Sequence, residues 1–222
     1  MRIVNCGSRE VRSIDIIRAL GHEVIDVTGR RVDEIIDLKP DIAVSLNGWY
    51  AVSRDTGNIL MELYKRGIGV LTSGNDTSNK ELPNLITGGF RGTLTREEGE
   101  LKLIPHYITE GVEPVNVGGD YRFNITGVTD GTEILAYSVK GTLELLVRED
   151  EFNDKKVRWI HFHPRWWYRN KRLFKNCLDY LTFKPYPVKW LEENWTSIVS
   201  VSPLIVVGSI IGFNEAKKLI KI

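Results

Sequence analysis

Over residues 1–75 the sequence alternates short apolar runs with helical patterns, joined by tight turns. "RIVNCG" is an apolar run that ends in glycine, and Ser8 is placed to cap a helix whose apolar positions are Val11, Ile14, Ile17, Ala19 and Leu20. Gly21 stops that helix, and "HEVIDV" is a second strand. "RVDEIIDLKP" is a short helix ended by Pro40, because the residue before a proline avoids the helical region. "DIAVSLNG" is a third strand. "DTGNILMELYKRG" is a helix with Asp55 near its start and Gly67 just past its end. "IGVLTSGND" is a fourth strand running into a polar loop. Strand and helix in strict alternation imply βαβ units, hence a mostly parallel sheet with helices on both faces. Right-handed crossovers make it doubly wound, with sites at the carboxyl ends of the strands. Those ends are residues 6–9, 28–30, 47–50 and 72–78.

The middle of the chain changes character. "LITGGFRGTL" is glycine-rich, and "GVTDGTEILAYSVKGTLELLVRED" reads as two or three strands with turns at Asp130-Gly131 and Lys140-Gly141. After a polar turn at Asn153-Asp154, "VRWIHFH" is strand-like, Pro164 ends it, and "NKRLFKNCLDYL" is an amphipathic helix. A Rossmann-like half is thus followed by antiparallel or mixed strands, then a last strand and helix that return to the sheet.

Composition narrows the function classes. Among 222 residues the net charge is +1, so no global field favours nucleic acid or acidic substrates. Two cysteines, Cys6 and Cys177, lie far apart and match no zinc or CxxC pattern. The start "MRIVNCGSRE" lacks the features of a signal peptide. The expectation is a chain that is cytoplasmic or part of a large assembly.

The order of segments resembles the class I glutamine amidotransferase superfamily over about residues 1–181. "HFHPR" is similar to the "QFHPE" segment that carries that family's catalytic His and Glu, and "GVLTSGND" lies in the place of its "GICLG" nucleophile elbow. "SLNG" falls where the third strand ends in glycines of the oxyanion region. "HYITEGV" and "TDGTEILAY" resemble segments of the ThuA-like branch. The resemblance implies a flavodoxin-like α/β domain, with added antiparallel strands and a C-terminal extension. It also implies that His163 ends a sheet strand and faces the loop at Thr72–Gly74.

The departures bear on chemistry. With Gly74 matched to the last glycine of the elbow, the nucleophile position falls on Thr72, beside Ser73. The family needs a cysteine thiolate there, activated by the neighbouring histidine. The orienting Glu becomes Arg165, whose charge disfavours the imidazolium that a nucleophile–His pair must form. The resemblance therefore implies a domain that has lost glutamine hydrolysis, with Thr72, Ser73 and His163 as vestiges. Asn47, Gly48, Ser73, Gly74, Asn75 and Asp76 remain as ligand-binding candidates at the strand ends. The rival expectation is a ThuA-like enzyme acting on a sugar or other small molecule at these residues and His163.

Other features weigh less. His161 and His163 are two apart on a strand and share a face, a pairing that binds metal only with a third ligand such as His106 or Asp76. No metal is expected, since the neighbours are Arg165, Trp166 and Trp167. Cys6 ends the first strand but its loop is no elbow, and Cys177 reads as core. "PRWWYRNKR" suits a packed helix start or a protein interface through Trp166 and Trp167 rather than a nucleic-acid platform. "SGNDTSN" offers hydroxyl and amide donors to an anion, but no GxGxxG or Walker pattern is present, so no cofactor is expected.

The tail differs from the rest. After a Pro- and Trp-containing linker, residues 194–214 run for 21 residues without a charge. The length approaches a membrane span, but Pro203, Gly208 and several serines interrupt it. The domain reading is 1–181 for the α/β domain and 182–222 for a linker and attachment segment. Trp195, Ile205, Val206, Ile210 and Phe213 join Trp166 and Trp167 as expected interface residues. The expected partner is another protein or another copy, with a membrane as the alternative.

Overall fold

In the computed structural model the described residues are 1–47, 53–74, 94–113, 116–123, 130–141, 143–162 and 170–182. All of them fall in one compact unit, Met1–Lys184. The parallel half is built from β1 (Arg2–Asn5), α1 (Val11–Ala19), β2 (Glu23–Asp26), α2 (Val32–Asp37), β3 (Ile42–Leu46), α3 (Arg54–Lys65) and β4 (Gly69–Ser73). Then come β5 (Leu94–Glu100), β6 (Lys102–Leu103), a 3-10 turn (Tyr107–Thr109), β7 (Asn116–Phe123), β8 (Thr132–Tyr137), β9 (Leu143–Phe152), β10 (Lys155–Phe162) and α4 (Lys171–Leu181).

Eight strands form one sheet in the order β2-β1-β3-β4-β10-β9-β8-β6. The first five are parallel, and β10 returns to lie beside β4. β9, β8 and β6 extend the sheet antiparallel. This is the flavodoxin-like 2-1-3-4-5 order, whose switch point lies between β1 and β3. β5 and β7 pair separately as an antiparallel ribbon, which the strand patterning did not reveal.

Strand periodicity sorts the core into two layers. Val4, Cys6, Ala43, Val70, Val157 and Trp159 pack with Ile35 of α2 and with Leu60, Leu63 and Tyr64 of α3. On the other face Phe162 meets Phe174 of α4 edge-on, with ring centroids 5.6 Å apart. Trp159 and Tyr64 are the two largest fully buried side chains, and their rings meet edge-on at 5.2 Å. Each such ring contributes about 1.5–3 kcal/mol through burial.

Helix ends follow local chemistry. Ser53 caps α3 by accepting from the Thr56 amide, and Asn170 caps α4 by accepting from the Leu173 amide. Gly21 and Gly67 take positive φ just past α1 and α3, as the sequence implied. Ser8 does not cap α1. The residue before that helix is Glu10, with no side-chain cap, and the Ser8 hydroxyl instead accepts from the Leu46 amide at 2.8 Å. Val11 stands 64% exposed, so the apolar face of α1 narrows to Ile14 and Ile17. β9 and β10 are joined by Asn153 and Asp154, with φ of +51° and +60°. These are the values of a type I′ hairpin turn, which matches the twist of its strands.

Candidate functional site

The carboxyl edge of the parallel strands brings together buried polar residues, with Asn5 and the loop after β1, Ser45 and Asn47 at the end of β3, Thr72 and Ser73 at the end of β4, and beside them the half-buried His161 on β10. The register places Ser45, Thr72 and His161 directly across from one another on three adjacent strands. Their side chains share the face that α3 covers.

Thr72 is the hub. Its hydroxyl oxygen accepts from the indole N–H of Trp159 at 2.8 Å and lies 3.0 Å from Nδ1 of His161. The carbonyl of Ile160 is a more distant partner at 3.4 Å. Thr72 is 1% exposed. Among the described residues the non-glycine positions with positive φ are Lys39, Asn153 and Asp154, so Thr72 and Ser73 sit in ordinary strand backbone rather than on a strained elbow. Gly74 follows with φ +151°. Ser73 is also buried, on the opposite face from Thr72, and its carbonyl accepts from the Asn47 amide at 3.0 Å.

Asn47 is held from both ends of its amide. Its Oδ1 accepts from the Arg9 amide at 3.1 Å, and its Nδ2 donates to the Ser45 hydroxyl at 2.9 Å. The amides of Arg9 and Glu10 both donate to the carbonyl of Leu46, and the amide of Cys6 donates to that of Val44. With the Ser8–Leu46 bond, these contacts lace the loop after β1 to the end of β3, at the switch point where flavodoxin-like sheets ordinarily open a crevice.

Electrostatics at this edge favour neutral groups. Burial brings His161 down to about 4, so the ring is uncharged at neutral pH. Burial, and then the carboxylate of Asp26, push the Cys6 thiol up to about 12, which removes it as a thiolate. Burial also raises Cys177, which is fully enclosed on the inner face of α4. His106 lies elsewhere, against α4. Its Nδ1 accepts from the Ile108 amide at 3.1 Å, and its ring meets Tyr180 edge-on at 5.1 Å. Burial first, and the Arg158 charge second, lower its pKa to about 4.

Several expected site residues lie outside the described residues: Gly48, Asn75, Asp76, His163, Arg165, Trp166, Trp167, Trp195, Ile205, Val206, Ile210 and Phe213. Among the described residues no group of three or more His, Cys, Asp or Glu is arranged to hold a metal. No helix among them is long and apolar enough to cross a membrane. The sequence reading missed Trp159 and Ser45. Both sit at even spacing from named residues on their strands, but only the cross-strand register brings them to Thr72.

No family model matches the sequence. No curated protein matches it either. Solved structures do. A protein described as part of a GMP synthase, from Thermoplasma acidophilum, aligns at 14% identity over 80% of this chain and 92% of its own, with a TM-score of 0.51. A ThuA-like protein from Bacteroides uniformis aligns at 10% identity over 82% of this chain and 91% of its own, with a TM-score of 0.56. The mmIFT52 N-terminal domain aligns at 8% identity over 82% of this chain and 98% of its own, with a TM-score of 0.57. Likeness at such identities speaks to the fold: the chain has the flavodoxin-like, mostly parallel α/β fold of glutamine amidotransferase-like proteins.

Proposed function

We propose that this chain is a non-catalytic amidotransferase-like domain whose task is binding or assembly, with residues 182–222 as its attachment segment. The observation that carries this reading is the state of Thr72. At the position matched to the family's nucleophile stands a buried hydroxyl that accepts from Trp159 and pairs with His161 inside the sheet layer. A nucleophile must reach its substrate and be activated by a base within hydrogen-bond reach. Thr72 meets the second condition, but its oxygen faces a packed layer rather than an open edge. The hydrogen bonds that lace residues 6–10 to the end of β3 support the same reading, because they occupy the switch-point crevice.

A diazoketone analogue of glutamine tests this. Such an electrophile alkylates an activated nucleophile in a glutamine site, and the adduct is read by intact mass. The proposed function requires no adduct on Thr72 or Ser73 after prolonged incubation. An adduct on either residue, blocked by excess glutamine, would overturn it and favour an enzyme acting at Asn47, Ser73 and His163.

A further inference from the structure

We infer that one copy of this chain stacks on the next through the basic face of α4 and the acidic face of α2, where Lys171 and Lys175 match Asp33 and Asp37. This rests on the assembly role proposed above, and it names the partner as a second copy and the surfaces that meet.

The net charge of +1 conceals a polarity across the sheet. α2 and α3 cover one face, and α4 covers the other with α1 beside it. α2 and α3 together hold two Lys or Arg and five Asp or Glu, a net −3. α1 and α4 together hold five Lys or Arg and two Asp, a net +3. The extremes are α2 and α4. Every exposed side chain of α4 is a cation, namely Lys171, Arg172 and Lys175, and every exposed side chain of α2 is a carboxylate, namely Asp33, Glu34 and Asp37. Two of the α4 cations stand in its first turn, which holds no acidic residue and where the helix dipole disfavours positive charge. That placement gives the isolated domain nothing and suits an anionic surface outside it.

Part of this charge is answered within the chain. Lys175 reaches Asp179 at 2.6 Å on its own helix, and Glu34 holds Arg31 at 3.2 Å. Lys171, Asp33 and Asp37 meet no opposite charge among the described residues. Spacing makes the two stripes fit. Lys171 and Lys175 lie one helical turn apart, as do Asp33 and Asp37, so each pair is separated by about 6 Å along its helix. Both Lys–Asp pairs can form in a single helix-on-helix contact. Pairing α4 with α4, or α2 with α2, would set like charges face to face. The complementary contact uses different surfaces on the two copies, so it is heterologous. Those surfaces lie on opposite sides of the sheet, so stacking leaves a basic face free at one end and an acidic face at the other, and an open row results rather than a closed dimer. Exposed ion pairs bind weakly by themselves. Residues 182–222 therefore supply the attachment and the high local concentration, and the helix contact sets the direction of the row.

The test is zero-length carbodiimide coupling of the full chain, in an equal mixture of ordinary and 15N-labelled protein that tells links between copies from links within one. Peptide mass spectrometry should find copies joined from Lys171 or Lys175 to Asp33 or Asp37. Raising salt from about 0.1 M to about 1 M shortens the screening length from about 10 Å to about 3 Å and should remove those links. Lys171→Glu with Arg172→Glu reverses one face, and Asp33→Lys with Asp37→Lys reverses the other. Each reversed chain alone should sediment as smaller assemblies than wild type. An equal mixture of the two should regain the wild-type size, because every α4–α2 contact between them again joins opposite charges. Links confined to other residue pairs in a chain that associates, or a mixture no larger than its components, would overturn the stacking and leave the assembly role standing. A full chain that stays monomeric would overturn the assembly role and the stacking with it. The wild-type links decide the matter alone if a reversed chain fails to fold.

Discussion

Thr72 on β4 and His161 on β10 stand directly opposite each other in parallel register, with the hydroxyl oxygen 3.0 Å from Nδ1. The pair is closed from below by the Trp159 indole, which leaves little freedom for the hydroxyl. Replacing Thr72 with Val keeps the shape and orphans a buried indole N–H. That change should cost about 1–3 kcal/mol of stability, and Thr72→Ser clearly less, by urea titration followed by circular dichroism.

A second polar anchor ties α3 to the antiparallel strands. The Tyr64 hydroxyl donates to Asp150 at 2.9 Å, and Arg148 holds the same carboxylate through two nitrogens at 2.6 and 2.8 Å. Tyr64→Phe removes one of these bonds and should cost about 1 kcal/mol. Asp150→Ala strands both partners and should cost about 2–3 kcal/mol. Equal losses in the two variants would show that Tyr64, not the carboxylate, is the anchor.

Stability should depend on pH through two half-buried, desolvated histidine rings. The folded pKa values of His106 and His161 are each about 4, below the ordinary 6.5, with burial the main cause. Between those values the unfolded chain binds more protons than the folded one. Stability is therefore full above about pH 6.5 and falls as pH drops toward 4. Although burial alone would raise Asp150, its bonds to Arg148 and Tyr64 lower it overall, which adds a further loss in more acid solution. The urea midpoint should be lower at pH 5 than at pH 7, and His161→Gln should flatten the difference.

The hairpin between β9 and β10 offers a local test. Asn153 and Asp154 both occupy the left-handed region, where Asn-Gly is the favoured pair. Asn153→Val should lower stability by about 1–2 kcal/mol, while Asp154→Gly should preserve or raise the melting temperature.

The tail prediction concerns association. Residues 194–214 carry no charge, and the described domain already has core on both sheet faces. The full chain should sediment as an oligomer or with a partner, and a chain ending at Lys184 should stay folded and lose that association. A monomeric, soluble full chain contradicts the attachment role. Extraction only with detergent would favour a membrane.

The alternation of strands and helices in residues 1–75 was legible because side-chain periodicity and glycine stops are local signals. So were the turn at Asn153-Asp154 and the return of β10 to the sheet. Two short-range readings went astray at one place. Ser8 and Val11 looked like the cap and first apolar residue of α1, but the Ser8 hydroxyl is captured by Leu46, which is distant in sequence. The site shows the same limit. Thr72 and His161 were visible as residues, yet their pairing with each other and with Trp159 depends on register across strands 87 and 89 residues apart, which no local pattern encodes.

Ammonia release from L-glutamine by the purified full chain tests the central claim most directly. The account predicts no release above buffer, in wild type and in His163→Ala alike. Turnover in the ordinary enzymatic range, about 1 per second or more, that disappears in His163→Ala or Thr72→Val would contradict it.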